Sequence, residues 1–201
     1  MSAIDRRPIS AGVLALQGDV AEHLRALRDA GAESVREVRR PQDLEGLDCL
    51  VMPGGESTTI GKLMWDYHLD EAITDQVAAG MGVFGTCAGL ILLATEIADS
   101  DQLRLGLLPV CVRRNAYGRQ VDSFEAQLTA PAIDPQPLPA VFIRAPRIES
   151  IDPRVEVLAC FGNHAVLCRY GRILAASFHP ELTPDRRLHR YFLGFAGGAR
   201  A

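Results

Sequence analysis

Three short apolar runs constrain the fold of this chain more than any other feature. They read AGVLALQ from Ala11, DCLVMPGG from Asp48 and GVFGTC from Gly82. Uninterrupted apolar residues are typical of strands that are buried on both faces of a sheet. Helix-type patterns follow the runs, which predicts βαβ crossovers and a parallel sheet that is covered on both sides.

Helices are predicted between and after these runs. In the segment DVAEHLRALRDAG, Asp19 with Glu22 three residues on resembles a capping box, and Gly31 can end the helix. Residues 58–79 have a second helical pattern, which we expect to form two pieces. A further helix is expected over AGLILLATEIA, residues 88–98.

The second half of the chain has a different pattern. From Leu105 onward, short strand-like runs follow one another, which favours an antiparallel or mixed extension. The Pro-rich segment Pro131–Ala140 is expected to be a surface loop. A last helix is predicted, with Thr183 as its cap and Pro184 at its first position. The predicted fold class is therefore a three-layer α/β sandwich with a central mostly parallel sheet and a small antiparallel extension.

Length and charge limit the function classes. With 201 residues, the default is one domain over residues 1–201, in which residues 1–10 are expected to be a flexible extension. A net charge of −4 gives no basic footprint for nucleic acid, and no apolar run reaches the ~18 residues that a membrane span needs. Five cysteines without a CxxC pair favour a reducing cytoplasm, and no cluster has the spacing of metal ligands.

The segment Gly85-Thr86-Cys87-Ala88-Gly89 is the cysteine version of the G-x-S-x-G nucleophile elbow. A thiol on a tight strand-to-helix turn lies at the first turn of a helix, where backbone N–H groups favour the reactive thiolate. The N–H of Ala88 would point to where an oxyanion forms. Taken alone, the segment is equally compatible with a buried structural cysteine.

Two further segments carry candidate catalytic groups. In SFHPEL, His179 and Glu181 are two residues apart, so on an extended segment they would project to the same side and could serve as base and orienting carboxylate. In MPGGESTT, Gly54 and Gly55 allow a sharp turn, and Gly55 could supply a second oxyanion N–H. Either segment could also be an ordinary strand end or turn, and GGESTTIGKL lacks the spacing of a phosphate-binding loop.

The remaining histidines receive simpler interpretations. His23 is expected on the surface of the first helix, with a subunit contact as the alternative, and His68 and His189 are also expected on helix surfaces. His164 is interpreted as a hairpin side chain, and Cys168 as a packed thiol.

The motifs PGGES, FGTCAGL and HPEL, in this order, resemble those of class I (triad-type) glutamine amidotransferases. LQGDVAEH, GRQVDSFEA and FIRAP are similar to one subfamily, the glutaminase subunits of pyridoxal 5'-phosphate synthase. The resemblance extends from about Gly12 to about Phe195. It implies the flavodoxin-like fold of that family.

The resemblance also implies the activity, which is hydrolysis of L-glutamine to L-glutamate and ammonia. Cys87 would attack the amide carbon, His179 would shuttle the proton, and Glu181 would orient His179. The oxyanion hole would be formed by the backbone N–H groups of Gly55 and Ala88. The implied glutamine contacts are Gly54, Gly55, Glu56, Arg114, Ile143 and Arg144.

A protein partner is implied as well. In that subfamily the ammonia passes to a synthase subunit, a (β/α)8 barrel, within a hetero-oligomer. Pyridoxal phosphate would then be the product of the complex, and this chain would need no cofactor. The docking face is expected to surround the mouth of the Cys87 cleft and to include residues 17–23.

Three alternatives remain at this point. The chain could be a glutaminase that serves another synthase, such as one of histidine biosynthesis, although GRQVDSFEA and FIRAP argue against this. It could be a catalytically silent regulatory subunit on the same scaffold, which the intact Cys87, His179 and Glu181 disfavour. A cysteine-based redox or chaperone protein of similar fold is disfavoured by the HPEL and PGGES segments.

Overall fold

The computed structural model describes residues 8–114 and 123–196, and it contains five α-helices in these ranges. The helices are α1 (Val20–Asp29), α2 (Ser57–Asp66), α3 (Leu69–Ala78), α4 (Ala88–Leu93) and α5 (Arg187–Ala196). Short 3₁₀ turns occur at Pro41–Leu44 and Pro180–Leu182. None of the described helices is long and apolar enough to cross a membrane.

Twelve strands accompany these helices within the described residues. They are β1 (Ser10–Leu14), β2 (Ser34–Val38), β3 (Cys49–Met52), β4 (Gly82–Thr86), β5 (Ala94–Ile97), β6 (Leu108–Arg113), β7 (Ser123–Ala130), β8 (Asp134–Ile143), β9 (Arg147–Ile151), β10 (Glu156–Phe161), β11 (His164–Tyr170) and β12 (Ile173–Ala176). Most of the predicted extension residues 1–10, and residues 118–122 of the GRQVDSFEA motif, lie outside the described ranges.

The central sheet has seven strands in the order β10-β11-β12-β4-β3-β1-β2. Its β12, β4, β3, β1 and β2 are parallel, and β11 and β10 extend it in antiparallel pairs. A three-stranded sheet, β5-β6-β9, and the β7-β8 pair lie beside it. The prediction of a mostly parallel sheet with antiparallel additions is confirmed.

Both faces of the central sheet are covered, as the uninterrupted apolar runs predicted. In β3, Leu50 and Met52 pack into one core, whereas Cys49 and Val51 pack into the other. The first core also includes residues of α2, α3, α4 and the three-stranded sheet. The second includes residues of α1, α5 and the β7-β8 pair. Three layers result, with the buried strands in the middle.

The helix predicted over residues 88–98 is only partly correct. α4 ends at Leu93, and Ala94–Ile97 is the strand β5, which pairs in parallel with β6. All six residues of α4 are buried, so the sequence has no polar stripe that could mark where the helix ends. The long-range pairing with β6 therefore overrides the local helical preference.

The surface loop predicted over Pro131–Ala140 is wrong, because β8 begins at Asp134. β8 has β7 as its single neighbour in a two-stranded sheet, so proline can occupy positions whose N–H is not needed for the ladder. Pro135 and Pro137 are exposed, while Leu138 and Ala140 are buried. The segment is thus an edge strand with alternating faces.

The start of the last helix was also misplaced. α5 begins at Arg187, and the Asp185 carboxylate accepts a hydrogen bond from the Arg187 N–H at 2.8 Å. Thr183 instead closes the preceding 3₁₀ turn, since its hydroxyl donates to the carbonyl oxygen of Pro180 at 3.0 Å. The sequence predicted Thr183 as the cap of α5, but Thr183 closes the 3₁₀ turn and Asp185 caps α5.

Candidate active site

Cys87 lies at a sharp turn between β4 and α4, and Ala88 is the first residue of α4. The φ of 47° and ψ of −100° at Cys87 fall outside the regions that ordinary residues occupy. A Cβ atom added to Gly85 would lie 2.6 Å from the carbonyl carbon of Gly89, and one added to Gly89 would lie 2.1 Å from the carbonyl oxygen of Met52. Glycine is therefore required on both sides of the thiol, as the elbow motif predicted.

A cleft of about 420 Å³ opens at this turn. It is lined by Gln17, Asp19, Gly55, Glu56, Ser57, Cys87, Ile91, Arg114, Ile143, Arg144 and His179. Seven of these are residues that the sequence singled out. Of the others singled out, Glu181 and Ala88 are buried beside the cleft, and Gly54 lies directly under His179.

His179 reaches the cleft because β12 is the parallel neighbour of β4. Ala176 of β12 is in register with Thr86 of β4, and the N–H of Cys87 donates to the carbonyl oxygen of Ala176 at 2.8 Å. The carboxyl ends of both strands therefore meet at one edge of the sheet, where ligand sites of such folds are found.

Glu181 lies 2.8 Å from His179, measured from Oε1 to Nδ1, and its side chain is fully buried. The sequence placed the pair on an extended segment, but Pro180–Leu182 forms a 3₁₀ turn. This turn, and not strand alternation, brings the carboxylate beneath the imidazole. The predicted pairing is present although its predicted backbone was wrong.

Burial lowers the pKa of His179, but hydrogen bonds with Asp19, Cys87 and Glu181 outweigh burial and raise it to about 12. Burial raises the pKa of Glu181, and its hydrogen bond with His179 offsets part of that change. Both shifts favour protonation, which gives a charged imidazolium at His179 and a neutral acid at Glu181. Because a protonated imidazole can only donate, the 2.8 Å contact favours an ionised Glu181 beside His179.

Asp19 is a second carboxylate at His179, and the sequence had assigned it another role. Its Oδ2 lies 3.1 Å from Nδ1 of His179, and its side chain is 34% exposed. The predicted capping box with Glu22 is wrong, since Asp19 makes no side-chain cap on α1. The position of LQGDV directly after a buried strand was the signal that Asp19 belongs to the site.

The PGGES turn passes close to the imidazole of His179. A Cβ atom added to Gly54 would lie 2.3 Å from Cε1 of His179, so the turn tolerates no side chain there. Gly55 has a φ of +152°, and the carbonyl oxygen of Gly54 accepts a hydrogen bond from the N–H of Asp19 at 3.2 Å. Since N–H and C=O oppose each other in a trans peptide, the Gly55 N–H points away from Asp19.

Glu56 and Arg114 form one polar wall of the cleft. Glu56 caps α2 by accepting hydrogen bonds from the N–H groups of Thr58 and Thr59. Burial raises its pKa, but these hydrogen bonds prevail and lower it to about 2. The Arg114 guanidinium donates to Glu56 at 3.1 Å, Thr58 at 3.0 Å and Gln102 at 2.8 Å. Several of its donors are therefore already engaged with this chain.

Arg144 differs from Arg114 in two respects. Among residues 8–114 and 123–196, no hydrogen-bond or ion-pair partner for its guanidinium is found. Its φ of +41° lies in a region that costs a non-glycine residue about 1–3 kcal/mol. Next to it, Ile143 contributes a carbonyl oxygen that lies 3.9 Å from Sγ of Cys87. The guanidinium of Arg144 is therefore free to bind an anionic group in the cleft.

His23 and His189 were predicted on helix surfaces, and both predictions are wrong. Each is fully buried, because α1 and α5 turn these positions toward β4. His23 lies behind Glu181, on the side away from the cleft, with Nε2 3.3 Å from Oε2 of that carboxylate. A lone histidine on an amphipathic helix gives no signal of what it faces across the sheet. His68, His164 and Cys168 match their predictions of two exposed side chains and one packed thiol.

Among the described residues, one group of three possible metal ligands is close together. Asp19, His179 and Glu181 each present an atom within 4.8 Å of the others. The cluster shares His179 and Glu181 with the candidate triad, and the imidazole contacts of Asp19 and Glu181 account for its short distances.

Comparison with known proteins supports a family assignment. The family model described as the SNO glutamine amidotransferase family matches residues 13–196. A protein of Pelotomaculum thermopropionicum named pyridoxal 5'-phosphate synthase subunit PdxT is 58% identical over 182 residues, which cover 90% of this chain and 92% of that protein. A protein of the same name from Thermus thermophilus is 55% identical over 188 residues, covering 92% and 97%.

Solved structures agree with this assignment. A crystal structure described as a glutamine amidotransferase is 52% identical, with a TM-score of 0.89 over 93% of this chain and 98% of that one. The PurLQS structure from Thermotoga maritima, at 14% identity and a TM-score of 0.70, shares the fold. The chain belongs to the SNO glutamine amidotransferase family.

Proposed function

We propose that this chain hydrolyses the side-chain amide of L-glutamine to L-glutamate and ammonia, with Cys87, His179 and Glu181 as its catalytic triad. One observation carries the proposal: a cysteine on a strained strand-to-helix turn lines a cleft with a histidine whose Nδ1 contacts a buried carboxylate at 2.8 Å. A nucleophile, a base and an orienting group in this order are what acyl transfer through a covalent intermediate requires.

In the first half of the reaction, the Cys87 thiolate attacks the amide carbon and the carbonyl electrons move onto oxygen. The backbone N–H of Ala88 stabilises this oxyanion, and the N–H of Gly55 adds a second donor once the Gly54–Gly55 peptide has turned. His179 then donates its proton to the amide nitrogen, and the carbon–nitrogen bond breaks to release ammonia. A glutamyl thioester on Cys87 remains.

In the second half, water attacks the thioester carbon and His179 accepts the proton from that water. The second oxyanion collapses, the carbon–sulfur bond breaks, and glutamate leaves with the Cys87 thiolate restored. Glu181 stays ionised throughout and holds the imidazole in position. The 3.1 Å contact of Asp19 with the same Nδ1 adds negative charge that stabilises the imidazolium form.

The glutamine contacts follow from the charges of the cleft. We assign the α-carboxylate to Arg144, whose guanidinium is available for a bidentate pair. Arg114 is a weaker candidate because it is held by Glu56, Thr58 and Gln102. The remaining contacts come from the walls of the cleft, namely Gly54, Gly55, Glu56 and Ile143.

We further propose that the ammonia passes to a synthase subunit that makes pyridoxal 5'-phosphate. The name of the relatives supports this, together with their coverage of 90% or more of both chains. The partner would be a (β/α)8 barrel in a hetero-oligomer, as the sequence resemblance implies. On this proposal the chain works as one cytoplasmic glutaminase domain, consistent with its five free cysteines.

Docking would place the barrel over the cleft mouth, so that ammonia leaves without meeting bulk water. Gln17 and Gly18 are exposed at this mouth, but His23, which was expected in the docking face, is buried and does not belong to it. Turning the Gly54–Gly55 peptide would break the hydrogen bond from Asp19 to Gly54. Because one oxyanion donor is worth about 10²–10³ in rate, we expect a rise of that order on docking.

The test is steady-state glutamine hydrolysis by the chain alone and with a catalytically dead synthase subunit. We expect low turnover alone and faster turnover in the complex. Complex formation without a change in kcat would contradict activation, and no complex would indicate a glutaminase that serves another synthase. Absence of hydrolysis in both conditions would leave the silent regulatory subunit as the better proposal.

A further inference from the structure

A buried polar chain lies behind Glu181, on the side away from the cleft. Nδ1 of His23 is 3.3 Å from Nε2 of His189, and Nε2 of His23 is 3.1 Å from Oγ1 of Thr86 and 3.3 Å from Oε2 of Glu181. Both histidines and Thr86 are fully buried. Oε2 of Glu181 is buried without a hydrogen-bond partner among the described residues, and Nε2 of His23 approaches it at an ion-pair distance without hydrogen-bond geometry.

The protons of this chain can be assigned from the acceptor at its end. An ionised Glu181 can only accept, and a lone pair on Nε2 of His23 would repel its oxygen at 3.3 Å, so we assign the hydrogen of His23 to Nε2. A neutral His23 then has a lone pair on Nδ1, and Nε2 of His189 must be the donor to it. This leaves the unprotonated Nδ1 of His189 without a partner, in agreement with its buried, unbonded position.

Both imidazoles are held neutral by their surroundings. Burial lowers the pKa of His23, and the neighbouring His189, His179 and Arg186 lower it further. Burial and the Arg186 charge lower the pKa of His189 to about 3, against a weak opposing effect of Asp185. The proton assignment therefore stays the same throughout the neutral range.

We infer that His23 is a positioning residue for the proposed hydrolysis: its Nε2–H places a positive partial charge 3.3 Å from the second oxygen of Glu181, and His189 keeps His23 in the tautomer that can do so. The inference rests on the proposed function. Glu181 would then be held at both oxygens, by His179 on the cleft side and by His23 on the inner side. The contact with Thr86 ties the same imidazole to the residue that precedes Cys87.

The physical effect is on the geometry and charge of Glu181. Without the donor, one oxygen of a buried carboxylate would face an apolar interior formed in part by Phe84. Such a carboxylate would take up a proton or rotate away, and either change would weaken its hydrogen bond with His179. Loss of the partner that orients a metal-bound histidine typically lowers activity about 10–100-fold, and we expect a loss of that order here.

The test compares His23→Phe, which keeps an aromatic ring but removes the donor, with His23→Gln, whose amide N–H can take the place of Nε2–H. His164→Phe is the matched control, since His164 is an exposed histidine at a hairpin. The chain is assayed in its complex with the synthase subunit. We expect kcat of His23→Phe to fall about 10–100-fold with little change in KM, and His23→Gln to recover most of the loss.

A spectroscopic measurement checks the proton assignment directly. In protein labelled with ¹⁵N-histidine, His23 should show a protonated Nε2 and an unprotonated Nδ1 at neutral pH. In His189→Phe the donor to Nδ1 is lost, and we expect a mixture of the two tautomers with a smaller fall in kcat. This variant and His23→Gln carry the test if His23→Phe does not fold.

The outcomes separate the inference from the proposed function. An active wild type with an unchanged kcat in His23→Phe overturns the role of His23 alone. So does an equal loss in His23→Phe and His23→Gln that follows their melting temperatures, because that would indicate a purely structural role. A wild type without hydrolysis, alone and in complex, overturns the proposed function and the role of His23 together.

Discussion

Glu181 separates a cleft side, which contains His179, from an inner side, which contains His23 and His189. The two sides differ in exposure, in backbone strain and in the direction in which the pKa values of their histidines are shifted. On the cleft side, Cys87 and Arg144 have positive φ values, and the pKa of His179 is raised. On the inner side, His23 and His189 lie in regular helices, and the pKa of each is lowered. Strain and charge thus collect where bonds would be made, while the inner side supplies neutral, unstrained support.

The largest effect is expected at the centre of the cleft side. Cys87→Ala removes the proposed nucleophile, so we expect hydrolysis to fall by at least about 10⁵-fold while the melting temperature changes little. Glutamate release in the activated complex measures the loss, and Cys160→Ala, an exposed cysteine, is the matched control. Activity near the wild-type level would mean that another group attacks the amide.

Glu181 lies between the two sides, and its substitution should cause the second largest loss of glutamine hydrolysis. Glu181→Gln keeps the shape but removes the charge that supports the imidazolium, so we expect kcat to fall about 10²–10⁴-fold, less than for Cys87→Ala. Single-turnover and steady-state rates measured across the neutral pH range would check this. Losses equal to those of Cys87→Ala would assign Glu181 a direct part in the chemistry.

The two cleft arginines should differ from each other. Arg144→Ala removes a charge-assisted bidentate contact worth about 1.5–3 kcal/mol, so we expect KM for glutamine to rise about 10–100-fold. Arg114→Ala should raise KM less, because Arg114 already donates to Glu56, Thr58 and Gln102. The measurement is KM of the isolated chain. An unchanged KM with a lower activated rate would indicate that Arg144 contacts the partner instead.

The two buried histidines of the inner side should lower the free energy of unfolding as the pH falls. Because the pKa of His189 is lowered to about 3 in the fold from 6.5, the unfolded chain binds more protons below pH 6.5, and stability falls as the pH falls. His23 acts in the same direction. Each buried histidine then contributes a loss of ~1.4 kcal/mol per pH unit below that point.

Urea unfolding of the wild type and of His189→Phe at about pH 7 and about pH 5 measures this loss. We expect the variant to lose less stability than the wild type over this interval. His179 does not add to the loss, since its raised pKa keeps it protonated in the fold and its stabilisation disappears only as the pH rises. Parallel losses in both proteins would show that His189 is not held neutral.

The central sheet and the turn at Cys87 could be predicted because their signals are local. Each buried strand carries its own apolar run, and the elbow needs Gly85 and Gly89 immediately beside Cys87. The β5 strand and the Pro-rich β8 strand could not be predicted, since β5 forms only through its pairing with β6, and β8 forms a hairpin with β7 although its prolines favour a loop. Their local preferences favour a helix and a loop.

The supporting groups of the site were missed for a related reason. His23 and His189 are 166 positions apart and contact each other only because α1 and α5 cover the same face of the sheet. Asp19 matched a helix cap equally well by sequence, and only the folded position of His179 gives it a second partner. Recognising these residues requires knowing which elements are neighbours.

The close approach of Gly54 to His179 has a consequence for how this protein can change over generations. Every missense change in the codon of Gly54 places a carbon atom 2.3 Å from the imidazole, and a Cβ atom at Gly18 would lie 1.7 Å from the carbonyl oxygen of Gly54. Neither position tolerates even the smallest substitution, because the Cβ atom of an alanine would already clash with the site. Inherited variation should therefore collect elsewhere, and a saturation library scored for growth would show both codons as nearly invariant.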